Sequence, residues 1–292
     1  MLKKFTDFNA KIIAIKAEIA ELEPTDIESL AAAYYKLGEE CCEIQTLPAF
    51  EQAVVAYEQA IDFRQQLPLE DENSNELARV YIGLGYVLDD LGTAESLQRS
   101  RELYAQALEL RKNLSTEDDE YRNDLATAYR KYGYAQHKLG SPSDLQQAIK
   151  SYQQAISIRE KLPQDNPEFQ NDLASAYNNL GEAHRHLGSP SDLQQAIKAY
   201  QQAISIGEKL PQDNLEFQNG LANAYNNLGI AQSDLGSPND LQQAIKSFQQ
   251  AISIREKLPQ DNPQFQNSWQ CPIWFRQSKR FTTSHQILPT SD

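Results

Sequence analysis

Cysteine, histidine, methionine and tryptophan are scarce here: three, four, one and two among 292 residues. The cysteines are Cys41, Cys42 and Cys271, with no CxxC pair, so neither a zinc ribbon nor a disulfide scaffold is indicated. An odd and sparse count suits a reducing cytoplasm. His137, His184 and His186 fall on neighbouring repeats, but no acidic or cysteine ligand accompanies them at matching spacing, so no metal site is expected. No stretch of 18 apolar residues exists, which argues against a transmembrane helix. Nor is there a glycine-rich phosphate loop, a nucleophile elbow or an HExxH pair. No enzyme and no cofactor are expected. Alternating β-branched runs are missing as well, and the chain reads as nearly all helix.

Positive charge is short in one half only. Residues 1–120 hold 25 acidic and 11 basic side chains, whereas residues 121–292 hold 16 of each. The acidic excess fits either a solvated face or a surface for a basic partner. With a net charge of −14 the chain is a poor candidate for nucleic-acid binding, which requires neutralising phosphates.

What is abundant is repetition. Tyr177 returns at equal spacing on either side, as Tyr129 and Tyr225, and Leu180-Gly181 returns as Leu228-Gly229. Ala196, Tyr200 and Ala203 return at the same interval as Ala244, Phe248 and Ala251. A fixed period of this length marks a solenoid, whose units bury apolar faces only against their neighbours.

One unit predicts two helices. The first starts near Asn166-Pro167, where Asn caps free N–H groups and Pro suits the first turn, and runs to about Leu187. Gly188 then takes the left-handed conformation. Leu173, Ala176, Tyr177, Leu180, Gly181 and His184 share one face at helical spacing. Ser189-Pro190-Ser191-Asp192 reads as a capping box, with Asp192 and Gln195 as a second possible start. The second helix buries Leu193, Ala196, Ile197, Tyr200, Ala203 and Ile204, and is expected to end near Leu210-Pro211.

Tyr177, Leu180-Gly181, Gly188, Ala196, Tyr200 and Ala203 together resemble the tetratricopeptide repeat, a helix–turn–helix unit usually of about 34 residues. The units here are longer, in the turn and in the link to the next unit. The resemblance implies an all-α, right-handed α-solenoid of five units, at about 25–72, 73–120, 121–168, 169–216 and 217–267. Residues 1–24 are read as an amphipathic capping helix over the first unit rather than a membrane-surface helix.

The resemblance also implies a non-enzymatic scaffold that holds a peptide or protein segment in a concave groove lined by first helices. By match to the family, Asn179 and Asn227 occupy the position that bonds a peptide backbone, with Asn178 and Asn226 one residue earlier. Lys131, beside Arg130, takes that position in unit three, and His137 and Arg185 lie one turn on. A basic end followed by amides suits an acidic or carboxylate-ended segment. Ordinary solvated helix positions account for the same residues equally well. The competing function is a regulatory module detached from a protease, kinase or signalling effector.

The repeat stops after Phe265-Gln266-Asn267. The segment that follows, SWQCPIWFRQSKRFTTSHQILPTSD, holds both tryptophans and none of the pattern. A shift of reading frame explains the break: codons exist that, shifted by one base, encode Leu-Gly-Asn-Ala-Leu-Tyr-Gly-Leu-Gly, in register with 221–229. On this reading unit five lacks a neighbour, and Trp269, Ile273, Trp274 and Phe275 either cover its apolar face or promote self-association.

Overall fold

The computed structural model describes residues 2–114 and 118–259, and the side chains of these from residue 8 onward. The C-terminal tail and the expectations attached to it, self-association and a shifted frame included, lie outside the described residues. Those residues form eleven α-helices and no strand. They are α1 (Leu2–Glu21), α2 (Ile27–Cys42), α3 (Leu47–Arg64), α4 (Asp71–Leu91), α5 (Ala94–Lys112), α6 (Asp119–Leu139), α7 (Pro142–Arg159), α8 (Pro167–Leu187), α9 (Pro190–Gly207), α10 (Leu215–Leu235) and α11 (Pro238–Arg255). The chain divides after Leu162 into two compact bodies. In the first, α2–α3, α4–α5 and α6–α7 are hairpins stacked in chain order, with α1 against α2. In the second, α8–α9 and α10–α11 stack the same way. The fold is an all-α solenoid of helix hairpins.

The starts and stops follow local chemistry. Asn166 accepts from the N–H groups of Glu168 and Phe169, and Asn214 does the same for Glu216 and Phe217. Ser141, Ser189 and Ser237 cap the second helices by accepting from the N–H three residues on, with proline in the first turn. Ser189, not Asp192, is therefore the cap of α9. First helices end at Gly92, Gly140, Gly188 and Gly236, with φ of 67°, 77°, 76° and 77°. Unit one puts Gln45, at φ 54°, in the place of those glycines.

One expectation fails by a single turn. Helix α9 ends at Gly207, not at Leu210-Pro211, because the amides of Lys209 and Leu210 turn back to the carbonyls of Ile206 and Gly207. That tightened last turn satisfies the terminal carbonyls before proline is reached.

Each hairpin closes on one aromatic ring. Tyr57, Tyr104, Tyr152, Tyr200 and Phe248 are all buried on their second helices. Each lies flat against the glycine of the Leu-Gly pair or its equivalent. A Cβ added at Gly38, Gly85, Gly133, Gly181 or Gly229 would come within 2.6–2.9 Å of that ring. Glycine is needed there for close approach, not for an unusual φ. Burying such a ring contributes about 1.5–3 kcal/mol per hairpin, and Ala60, Ala107, Ala155, Ala203 and Ala251, three residues further on, are buried small residues. Helix α1 adds Ile12 and Ile15 to the core of the first body, and Lys11 pairs with Glu40 at 3.1 Å.

Candidate peptide-binding faces

First helices carry the candidate residues. In the first body Arg130, Lys131 and His137 are partly buried on α6. The Lys131 ammonium stands 5.0 Å from the centroid of the Tyr86 ring on α4. On α6 itself Lys138 stands 5.5 Å from that of Tyr134. These are cation–π distances, so the basic end is joined to an aromatic strip of α4 and α6.

In the second body Asn178 and Asn179 lie on α8, and Asn226 and Asn227 on α10. Asn227 Nδ2 donates to Asn178 Oδ1 at 3.1 Å, across adjacent first helices. Asn226 Nδ2 donates to Asn227 Oδ1 at 3.5 Å. Asn226 is 2% exposed, and its Oδ1 accepts no hydrogen bond. Three of the four asparagines thus form one amide ladder, with Asn179 beside it and partly buried. Arg185 is committed elsewhere: its Nη1 is 3.7 Å from the Asp234 carboxylate of α10, and its Nη2 is 3.0 Å from His186 Nε2. Burial, then the Arg185 charge, holds the His186 pKa below its ordinary value, which favours the neutral imidazole as acceptor.

The position four residues after the glycine that the ring packs against has a second use that sequence reasoning missed. It is filled by Cys42, Asp89, His137, Arg185 and Ser233 in the five units. In unit two the Tyr104 hydroxyl donates to Asp89 Oδ2 at 2.7 Å and Ser100 Oγ to Asp89 Oδ1 at 2.6 Å. In unit one Tyr57 Oη is 3.9 Å from Cys42 Sγ. In units one and two this position therefore meets the tyrosine of its own hairpin. One residue earlier, Gln136 Oε1 accepts from Ser151 Oγ at 3.0 Å and Gln232 Oε1 from Ser247 Oγ at 2.8 Å. The signal was in the repeats: Gln comes with Ser in units three and five, Leu88 with Leu103 in unit two, and His184 with Ala199 in unit four.

Burial pushes the Asp89 carboxyl above the usual carboxylate range, against the bonds from Ser100 and Tyr104 and the charges of Lys131 and Lys138. The native chain thus holds this proton more tightly than the unfolded one. The associated stability is complete below the unfolded pKa of about 3.9 and is lost as pH rises through the native value. Asp89→Asn is expected to remove that loss. Urea denaturation between pH 4 and pH 7 should show the wild type falling relative to the variant as pH rises. Parallel pH profiles would mean that Asp89 titrates as it does in the unfolded chain.

Among the described residues, no group of three His, Cys, Asp or Glu side chains is placed to hold a metal ion. No described helix is long and apolar enough to cross a membrane.

These hairpins define a helical-repeat array. Comparison identifies the repeat: residues 172–257, which span most of units four and five, match the sequence model of the tetratricopeptide repeat. Those two units are tetratricopeptide repeats, as their motifs implied. The crystal structure of BtubC (BKLC) from P. vanneervenii is similar, with a TM-score of 0.64 at 19% identity over 87% of this chain and 90% of that one. The apo form of RapI aligns with a TM-score of 0.57 at 14% identity, over 86% and 71% of the two chains. A structure of nearly identical TPR-like repeats from Podosopora anserina gives 0.55 at 16% identity, over 80% and 97%. At such identities the likeness is one of fold alone. A search of curated proteins gave no match.

Proposed function

We propose that the chain is a non-enzymatic binding module whose first-helix faces take an extended peptide. The observation that carries this reading is the amide ladder from Asn227 to Asn178, with the buried, unsatisfied Oδ1 of Asn226 beside it. Asparagine offers a donor pair and an acceptor, the complement of a peptide unit. On α6 the charges of Arg130 and Lys131 favour an acidic segment or a free C-terminal carboxylate. Cys41 and Cys42 are both free, which supports a reducing compartment such as the cytoplasm.

The test is a display library of peptides presented as free acids and as amides to the full chain. Acidic sequences with a free carboxylate are expected to be enriched. Asn179→Ala and Asn227→Ala should each weaken a peptide held by the second body about tenfold, and Lys131→Ala one held by the first, equivalent to about 1.4 kcal/mol, at unchanged helical content. Equal binding of acid and amide would remove the carboxylate from the proposal. Affinity untouched by all three substitutions would place the site elsewhere.

A further inference from the structure

The arginine that closes the second helix in four units is Gly207 in unit four, and this loss has a counterpart. In unit two Arg111 is 3% exposed. Its Nε donates to Asn75 Oδ1 at 3.0 Å, its Nη1 to the Asp124 carbonyl at 2.7 Å, and its Nη2 lies 3.4 Å from the Asp124 carboxylate. Asn75 Nδ2 donates to Asp124 Oδ2 at 2.7 Å, closing a triad. Arg159 keeps the register in unit three, donating from Nε to Asn123 Oδ1 at 3.1 Å and from Nη2 to Thr127 Oγ1 at 2.7 Å.

Two periods on from unit two, Gly207 stands for Arg111, Asn171 for Asn75 and Gly220 for Asp124. Only the middle member is kept. Cation and carboxylate have gone together, so neither is stranded without the other. Asn171 holds the place that Asn75 holds: a Cβ on Gly220 would lie 3.7 Å from Asn171 Oδ1, with no other neighbour inside 4 Å. Ser175 stands where Thr127 accepts in unit three. Gly220 is exposed, and Asn171 and Ser175 are partly exposed. Asn171 lies two helical turns before Asn178, and the argument for it is independent of the amide ladder.

We propose that the seam between units four and five is a receptor for a guanidinium group, docked as Arg111 docks in unit two. Asn171 Oδ1, the Gly220 carbonyl and Ser175 Oγ are the acceptors that correspond to those of the internal arginines. A planar fork of N–H donors matches such a set, and a compact ammonium does not. The site itself is neutral where unit two supplies Asp124, so the best ligand brings its own carboxylate beside the guanidinium. Two sources have that chemistry: an Arg-Asp pair on a partner chain, and free arginine. An incoming guanidinium also avoids a crowding that a grafted side chain meets, since a Cβ on Gly207 would lie 3.1 Å from Leu221 Cδ1.

The test titrates the full chain with ethylguanidinium chloride at constant ionic strength, followed through backbone and asparagine side-chain amide resonances. Saturable shifts are expected at Asn171, Gly207 and Gly220, with ethylammonium producing none. Asn171→Ala should abolish the response, and Gly220→Asp should tighten it about tenfold by returning the carboxylate. Gly207→Arg should fill the place and also abolish it. Shifts that never saturate, or that are the same with ethylammonium or in Asn171→Ala, would overturn the proposal, and neither Asn171→Ala nor Gly220→Asp depends on Gly207→Arg folding. A blocked Arg-Asp dipeptide binding more tightly than L-arginine assigns the site to a partner's side chain. The reverse order assigns it to the free amino acid.

Discussion

Gly181→Ala is expected to destabilise the second body by about 3 kcal/mol, the upper end of the usual cost of overpacking a core. The new Cβ would sit 2.6 Å from Tyr200 Cε1 and 2.8 Å from Cδ1 and Cζ. Tyr200 is fully buried, so its ring has nowhere to retreat without opening the α8–α9 hairpin. Helix propensity pulls the other way by about 1 kcal/mol, since alanine is the better helix former, and steric overlap wins. Chemical denaturation measures the loss, and hydrogen exchange locates it: α8 and α9 should exchange faster while α2 and α3 do not change. Adding Tyr200→Leu should make the pair of substitutions cost less than their sum. A variant within about 0.5 kcal/mol of wild type, the ordinary range for a neutral surface substitution, would show that the ring shifts freely and that glycine is dispensable there.

Arg111→Ala is expected to cost about 3 kcal/mol, the lower end for breaking a buried ion pair. The lower end applies because the Asp124 side chain is 26% exposed and water can partly replace the guanidinium. Burial pulls the Arg111 pKa below its ordinary value and Asp124 opposes that shift, so desolvation and pairing work against each other while both partners are present. Removing the arginine leaves Asn75 Oδ1 without its donor and the Asp124 carboxylate with only the bond from Asn75 Nδ2. The double variant Arg111→Gly with Asp124→Gly reproduces what Gly207 and Gly220 already do, and should be less destabilised than the two single losses added together. Strict additivity of the two would show that the pair is not coupled.

How far the sequence could be read depended on the distance between cause and effect. Caps were legible because they act within one turn: Asn166, Ser189 and Gly188 behave as their types predict. The fold class was legible because Tyr177, Leu180-Gly181, Ala196 and Tyr200 return at a fixed period. The end of α9 was not, because proline was taken as the stop when a tightened turn at Gly207–Leu210 acts first. The buried arginines were missed for a different reason. A helix-ending arginine ordinarily reaches solvent, and the acceptors of Arg111 lie 36 and 13 residues away on other helices. Gly207 therefore gave no sign in the sequence of being one end of a dismantled triad. Of the candidate site, the asparagines were found by position, but their bonding to one another was not, and Arg185 was read without its partner Asp234.

The caps also bear on how such a chain changes over time. Asn166 and Asn214 open α8 and α10 with nearly the same backbone, φ −83° and ψ 112° against φ −80° and ψ 112°. Each makes the same two bonds to the turn that follows it. An unequal crossover in the gene between these two points would delete or duplicate one whole repeat and rejoin the chain at a junction it already knows how to fold. The number of hairpins is then a heritable variable that moves in whole steps. Because each duplicate also carries its own acceptors and arginine, a single later exchange such as Arg to Gly can give one copy a chemistry its siblings lack.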